Sequence, residues 1–62
     1  IEVTINGDPH QVDDGLNLAE LLRRLKLDPA KVAIERNLEI VPKTTYQEVI
    51  VSDGDKLEID IL

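Results

Sequence analysis

The sequence predicts an α+β fold in which one helix packs on one face of a mixed sheet of four to five strands. Short segments at both ends of the chain alternate apolar and polar residues, as strands with one buried face do. One internal segment instead has leucines at helical spacing. This helix lies between the second and third strands, so the chain crosses over the sheet there and the sheet is mixed. A single leucine stripe covers one face, and the other face is expected to meet solvent.

The chain opens with a predicted hairpin. In residues 1–5, isoleucine and valine alternate with Glu2 and Thr4. Asn6-Gly7 follows, and Asn-Gly between alternating segments is a strong hairpin signal. Because Pro9 cannot donate to a strand ladder, we expect the return strand to run from His10 to Asp13, with Val12 in the core.

The helix is predicted over residues 17–26. Asn17 is suited to cap its first turn, and Glu20 stands three residues later, at capping-box spacing. Basic residues fill the last turn, where they favour the negative end of the helix dipole. The apolar stripe consists of Leu18, Leu21, Leu22 and Leu25.

The second half of the chain predicts strands again. A strand begins at Val32, Arg36 and Asn37 turn the chain, and residues 38–41 form a short return strand. Thr44 or Thr45 is expected to cap a single helical turn, since Thr45 and Glu48 have capping-box spacing. Residues 49–51 are extended.

The final strand follows a turn at Asp53-Gly54-Asp55. Its alternation predicts that one set of side chains faces the core: Leu57, Ile59 and Ile61. The other set is predicted to face solvent: Lys56, Glu58, Asp60 and Leu62.

Length and composition exclude several classes of function. The 62 residues are enough for one domain, residues 1–62, with a small core. There is no Cys, Phe or Trp, which excludes thiol chemistry and leaves no aromatic platform for stacking nucleic acid bases. A net charge of −6 disfavours nucleic acid and anionic membranes as partners and is typical of a cytoplasmic protein.

No residue pattern predicts catalysis, a metal site or a cofactor. His10 is the only histidine and has no Ser or Cys beside it to activate. The aspartates at 13–14 and 53–55 are explained as turn formers, and they lack the spacing of a calcium loop. The classes of function that remain are a binding module, a carrier and a structural domain.

Five segments together resemble the ThiS family, the ubiquitin-like β-grasp sulfur carriers of thiamine biosynthesis. They are Ile-Asn-Gly at 5–7, Leu-Ala-Glu-Leu-Leu at 18–22, Val-Ala-Ile-Glu-Arg-Asn at 32–37, Ile-Val-Pro-Lys at 40–43 and Asp-Gly-Asp-Lys-Leu-Glu-Ile at 53–59. The small subunits of molybdopterin synthase share the fold, but Glu-Arg-Asn followed by Ile-Val-Pro is more similar to the thiamine branch.

The resemblance implies a carrier and not an enzyme. In that family a flexible C-terminus ends in Gly-Gly, and an E1-like adenylyltransferase of the ThiF type activates its carboxylate with ATP. The carboxylate becomes a thiocarboxylate, which donates sulfur to a thiazole synthase of the ThiG type. In this sequence, Ile61 and Leu62 would be the root of that tail. Glu58 and Asp60 would lie on the sheet face that meets the partner enzymes.

Two features depart from the family pattern. The sequence reaches Leu62 without Gly-Gly, so the sulfur-carrying glycine is expected beyond it. The alternatives are a chain that was cut or engineered on this fold, and a ubiquitin-like interaction or structural domain that carries no sulfur. Asp60 occupies a position that is usually apolar in the family, and its charge would have to be desolvated in an interface.

Overall fold

A computed structural model describes all 62 residues and has a five-stranded sheet with one α-helix. The strand order is β2-β1-β5-β3-β4, in which β1 and β5 are parallel and the other neighbours antiparallel. The predicted mixed sheet with a single helix is therefore confirmed. The elements are β1 (Glu2–Ile5), β2 (Asp8–Gln11), α1 (Leu18–Arg24), a first 3-10 helix (Pro29–Lys31), β3 (Val32–Arg36), β4 (Glu39–Val41), a second 3-10 helix (Lys43–Thr45) and β5 (Lys56–Ile61).

The first hairpin has a two-residue turn. Asn6 and Gly7 both have positive φ, at 50° and 87°, as a turn that matches the twist of its strands requires. The turn pairs Ile5 with Asp8, so β2 begins two residues before the predicted His10 and includes Pro9. The proline is tolerated because β2 is an edge strand, where a missing N–H leaves no ladder bond unmade.

The second hairpin turns one residue later than predicted. Its two positive-φ residues are Asn37, at 51°, and Leu38, at 71°, so β4 starts at Glu39. A leucine in this left-handed region is uncommon, which explains why the sequence favoured Arg36 and Asn37 instead.

Helix α1 has the predicted capping box. The Glu20 N–H donates to Asn17 Oδ1 at 2.7 Å, and the Asn17 N–H donates to Glu20 Oε1 at 3.1 Å. The helix ends at Arg24, two residues before the predicted end, because Lys26 is left-handed at φ 61°. The Leu27 N–H returns to the Leu22 carbonyl at 2.9 Å, which closes the end in the Schellman manner.

The core lies between α1 and one face of the sheet. Tyr46, the only aromatic residue, is buried in it and donates its hydroxyl to the Val32 carbonyl at 3.3 Å. Burial raises the pKa of this hydroxyl above its ordinary value. Val12 is only partly buried against the core. The core cluster is Val3, Ile5, Leu18, Ala19, Leu21, Leu22, Val32, Ile34, Tyr46, Val51, Leu57 and Ile59.

The predicted threonine cap of the short helical turn is wrong. The N-cap of the second 3-10 helix is Pro42, whose side chain has no hydrogen-bonding group. Thr45 is instead the last residue of that turn, and its hydroxyl donates back to the Pro42 carbonyl at 2.7 Å. A further turn does begin at Thr45, whose carbonyl accepts from the Glu48 and Val49 N–H groups at 2.9 and 3.0 Å, but the Thr45 hydroxyl does not cap it.

Candidate docking face and C-terminal exit

Strand β5 lies at the centre of the sheet but extends beyond one of its neighbours. Its pairing with β1 covers only Lys56 and Leu57, because β1 ends at Ile5. Its pairing with β3 continues to Ile61, opposite Val32. The last part of β5 therefore has a strand on one side only.

The side chain of Asn6 replaces the missing strand for one residue. Asn6 Nδ2 donates to the Ile59 carbonyl at 3.0 Å, and the Ile59 N–H donates to Asn6 Oδ1 at 2.7 Å. These are the two bonds that a paired strand residue would make. The hairpin turn thus holds β5 two residues past the end of the β1 pairing.

The C-terminal exit, defined as Ile61 and Leu62, is exposed. The prediction that Ile61 belongs to the core is wrong, since its side chain is 76% exposed and that of Leu62 is 74% exposed. Alternation does put Ile61 on the same side of β5 as Leu57. The seven-residue helix is only about 10 Å long, however, so the covered part of the strand ends at Ile59.

The exit is also tied to the last residue of the first 3-10 helix, directly before β3. The Leu62 N–H donates to the Lys31 carbonyl at 2.9 Å, on the opposite side of β5 from Asn6. The chain is therefore attached at Ile59 and again at Leu62, while the side chains of the exit remain in solvent.

Glu58 and Asp60 both lie on the open sheet face, defined as Glu35, Ile40, Glu58 and Asp60. The register places Glu58 directly opposite Glu35, and Glu35 directly opposite Ile40 on the next strand. Glu58 and Asp60 are exposed, and Glu35 is half-buried. Like charges opposite each other weaken a sheet, so this acidic face reduces the stability of the fold.

The sequence reasoning missed Ile40, which is 81% exposed on this face. Val41 pairs with the buried Ile34 and is itself half-buried, so its neighbour Ile40 must point away from the core. This alternation along β4 is the signal that could have identified Ile40 as exposed. Leu38, in the adjacent turn, is exposed as well.

Asp55 is more than the turn residue that the sequence suggested, because it is only 5% exposed. Its carboxylate accepts hydrogen bonds from Arg36 Nε at 2.8 Å, from the Ser52 N–H at 2.8 Å and from Asn37 Nδ2 at 3.1 Å. Burial by itself raises the pKa of the Asp55 carboxyl. The hydrogen bonds from Ser52, Arg36 and Asn37 outweigh it, and the pKa lies below its ordinary value. This cluster joins the end of β3 to the turn that starts β5.

No group of three or more His, Cys, Asp or Glu side chains could hold a metal ion. His10 lies in edge strand β2 opposite Val3, and Asp13 is paired with Arg24 at 2.9 Å on the surface. No helix has the length and apolar character needed to cross a membrane.

A five-stranded mixed sheet in the order β2-β1-β5-β3-β4, with one helix packed on one face, is the ubiquitin-like β-grasp fold. A model of the ThiS family matches residues 3–59. The chain belongs to the ThiS family.

The chain is also similar to a solved structure and to curated proteins. The crystal structure of the thiamine biosynthesis protein ThiS from Geobacter metallireducens superposes with a TM-score of 0.89 and 34% identity, covering 100% of this chain and 94% of that one. A thiazole synthase from Paramagnetospirillum magneticum is 49% identical over 59 residues, which are 95% of this chain and 18% of that protein. The uncharacterized protein ycf40 of Porphyra purpurea is 34% identical over 95% of this chain and 83% of its own length. This chain thus spans about a fifth of the thiazole synthase that it matches.

Proposed function

We propose that this chain is a sulfur carrier of thiamine (thiazole) biosynthesis, which works by presenting a C-terminal carboxylate. The observation that carries the proposal is the exposed C-terminal exit on a ThiS-family fold. β5 keeps its core side chains up to Ile59, and the side chains of Ile61 and Leu62 are exposed. A segment that follows Leu62 starts clear of the core and is free to enter another protein.

The chemistry needs the terminal carboxylate and a partner's active site, and no side chain of this protein. A carboxylate oxygen attacks the α-phosphorus of ATP, pyrophosphate leaves, and an acyl adenylate forms. A sulfide-level donor then attacks the acyl carbon and displaces AMP, which leaves a thiocarboxylate. Terminal glycines suit this step because a chain without side chains passes through a narrow channel in extended form. The protein itself is not the catalyst.

Two enzymes are the proposed partners: an E1-like adenylyltransferase of the ThiF type and a thiazole synthase of the ThiG type. The Paramagnetospirillum protein supports the second, since a chain named thiazole synthase includes a segment 49% identical to this one. Joining a donor to its acceptor raises their effective concentration, which suits a carrier that must deliver to that enzyme. We place the reaction in the cytoplasm.

The open sheet face is the proposed docking surface. Glu58 and Asp60 supply negative charge, and Ile40 supplies an exposed apolar side chain on the same face, across Glu35 from Glu58. Electrostatic complementarity mainly sets the encounter rate and the choice of partner, so we expect a basic surface on the adenylyltransferase. An apolar contact at Ile40, on edge strand β4, would then supply affinity.

A ubiquitin-like interaction domain without covalent chemistry is the second candidate, and Asp60 is the observation that favours it. A carboxylate on the docking face removes apolar contact area where the family usually provides it. Such a domain binds its partner equally well when every residue after Leu62 is deleted.

ATP–pyrophosphate exchange separates the two candidates. The natural full-length protein is incubated with the adenylyltransferase and labelled pyrophosphate, beside a version that ends at Leu62. A carrier supports exchange only in the full-length form. Exchange that is absent with both forms, while both bind the enzyme equally, would reject the carrier and leave the interaction domain.

A further inference from the structure

We propose that Asn6 is a positioning residue for the carrier reaction, because its side chain fixes the direction in which the C-terminal exit leaves the fold. This inference rests on the proposed function. It assigns to a hairpin turn near the N-terminus a role in presenting the opposite end of the chain.

The contact is a complete substitute for strand pairing. Asn6 Oδ1 accepts from the Ile59 N–H at 2.7 Å while Asn6 Nδ2 donates to the Ile59 carbonyl at 3.0 Å, across 53 residues of sequence. The Asn6 N–H also donates to the Leu57 carbonyl at 2.9 Å. The backbone and side chain of this one residue thus add three hydrogen bonds to β5 beyond the end of β1.

The contact between Asn6 and Ile59 is the last one on its side of β5 before the C-terminal exit. Along residues 56–62, the backbone groups of 57 and 59 point towards Asn6, and those of 56 and 62 point towards the opposite side, where β3 lies. The same alternation turns Ile61 towards the Asn6 side, beyond the last partner. Asn6 at Ile59 and Lys31 at Leu62 are therefore the last attachments on the two sides of the strand.

With Asn6 bound at Ile59, this part of β5 has a hydrogen-bonding partner on both sides, which limits how far the strand can bend towards either. If the Asn6 bonds are lost, β5 past Leu57 is held by β3 alone and the exit samples more directions. A partner that must thread the following segment into a channel then orders more of the chain on binding. The loss should weaken productive binding and leave the chemical step unchanged.

The chain provides a matched control in Asn37. It occupies the same turn position in the second hairpin, with φ 51° against 50° for Asn6, and it also binds the β5 backbone. Its Oδ1 accepts from the Lys56 N–H at 2.9 Å, and its own N–H donates to the Lys56 carbonyl at 2.8 Å. Lys56 begins β5, so this contact lies at the far end of the strand from the exit.

The experiment compares Asn6→Gly with Asn37→Gly in the natural full-length protein. Glycine keeps the left-handed turn in both variants and removes only the side-chain amide. Amide hydrogen exchange at Ile59 and Leu62 is measured by NMR, and adenylylation kinetics are measured with the carrier as the varied substrate.

We expect Asn6→Gly to speed exchange at Ile59 by roughly tenfold or more, because its N–H loses its acceptor. KM for the carrier should rise by about three- to tenfold, the cost of ordering one or two further side chains, with kcat within about twofold of the original. Asn37→Gly should leave KM and the Leu62 exchange rate unchanged even where it lowers the melting temperature more.

Equal KM values for Asn6→Gly and the unaltered protein would overturn the positioning role, as would an equal rise in both variants. If Asn6→Gly does not fold, Asn6→Asp takes its place, since it keeps the acceptor for the Ile59 N–H and loses the donor to the carbonyl. With Asn6→Asp a KM at the unaltered value rejects the role, and a raised KM supports it. An unaltered protein that is not adenylylated at all rejects the proposed function instead, which is a separate result.

Discussion

The Arg36 guanidinium donates from Nε to the buried Asp55 carboxylate at 2.8 Å and ties the end of β3 to the turn that begins β5. Arg36 Nη2 reaches the Ser52 hydroxyl at 3.3 Å, and the Ser52 N–H donates to the same carboxylate. The central strand therefore starts from a buried ionic cluster and ends at an exposed exit.

Asp55→Asn should lower the free energy of unfolding by about 1–3 kcal/mol. The amide loses the charge that Arg36 and the Ser52 N–H recognise, and charge-assisted bonds to a buried carboxylate are stronger than neutral ones. Urea denaturation measures the difference. Asp60→Asn removes the same charge from an exposed position and should change stability by less than about 0.5 kcal/mol. Equal effects of the two substitutions would contradict the cluster's structural role.

Acid should remove the contribution of Asp55. The pKa of this carboxyl is lowered in the folded protein, so its stabilisation is fully present above the ordinary aspartate pKa of about 3.9 and is lost as the pH falls through the folded pKa. The stability difference between the unaltered protein and Asp55→Asn should stay constant from neutral pH to about pH 5 and shrink below about pH 4. A difference that stays the same at lower pH would show that Asp55 does not titrate below its ordinary range.

Leu57→Ala and Ile61→Ala should differ sharply although both residues lie on one side of β5. Leu57 is fully buried, and its truncation should cost about 2–5 kcal/mol. Ile61 is exposed, and its truncation should cost less than about 0.5 kcal/mol. Thermal unfolding of the two variants checks the prediction. A large loss of stability with Ile61→Ala would contradict the assignment of Ile61 to the surface.

Glu58→Lys should stabilise the fold and weaken docking at the same time. Lysine replaces a like-charge pair with Glu35 by an opposite-charge pair, worth about 0.2–1 kcal/mol. It also reverses the charge of the open sheet face, which should slow association with the adenylyltransferase at low salt. Asp14→Lys makes the same change in net charge at an exposed position in the loop before α1. Stopped-flow association should be slower for Glu58→Lys than for Asp14→Lys, and equal rates would place the docking surface elsewhere.

The fold could be predicted because its signals are local. Leucine spacing and the Asn17–Glu20 pair define the helix within one or two turns of chain, and Asn6-Gly7 defines the first hairpin within two residues. The end of the helix was harder to predict, because Lys26 adopts the left-handed conformation at a position where glycine is usual.

The candidate site could not be predicted in full, because it depends on contacts between residues that are distant in sequence. Alternation gives the side of β5 on which Ile61 lies, but the length of strand that α1 covers depends on packing. From the sequence, Asp55 could be interpreted only as a turn residue, because its partner Arg36 lies 19 positions earlier in the chain. The contact of Asn6 with Ile59 arises only because β1 and β5 are neighbours and β1 is the shorter strand.

The most direct test of the central claim is the intact mass of the natural full-length protein after incubation with the adenylyltransferase, ATP and a sulfide donor. A sulfur carrier should gain the mass difference of one oxygen replaced by one sulfur, located at the C-terminal carboxylate and formed only when ATP is present. An unchanged mass, with an adenylyltransferase that modifies another carrier in the same mixture, would contradict the account.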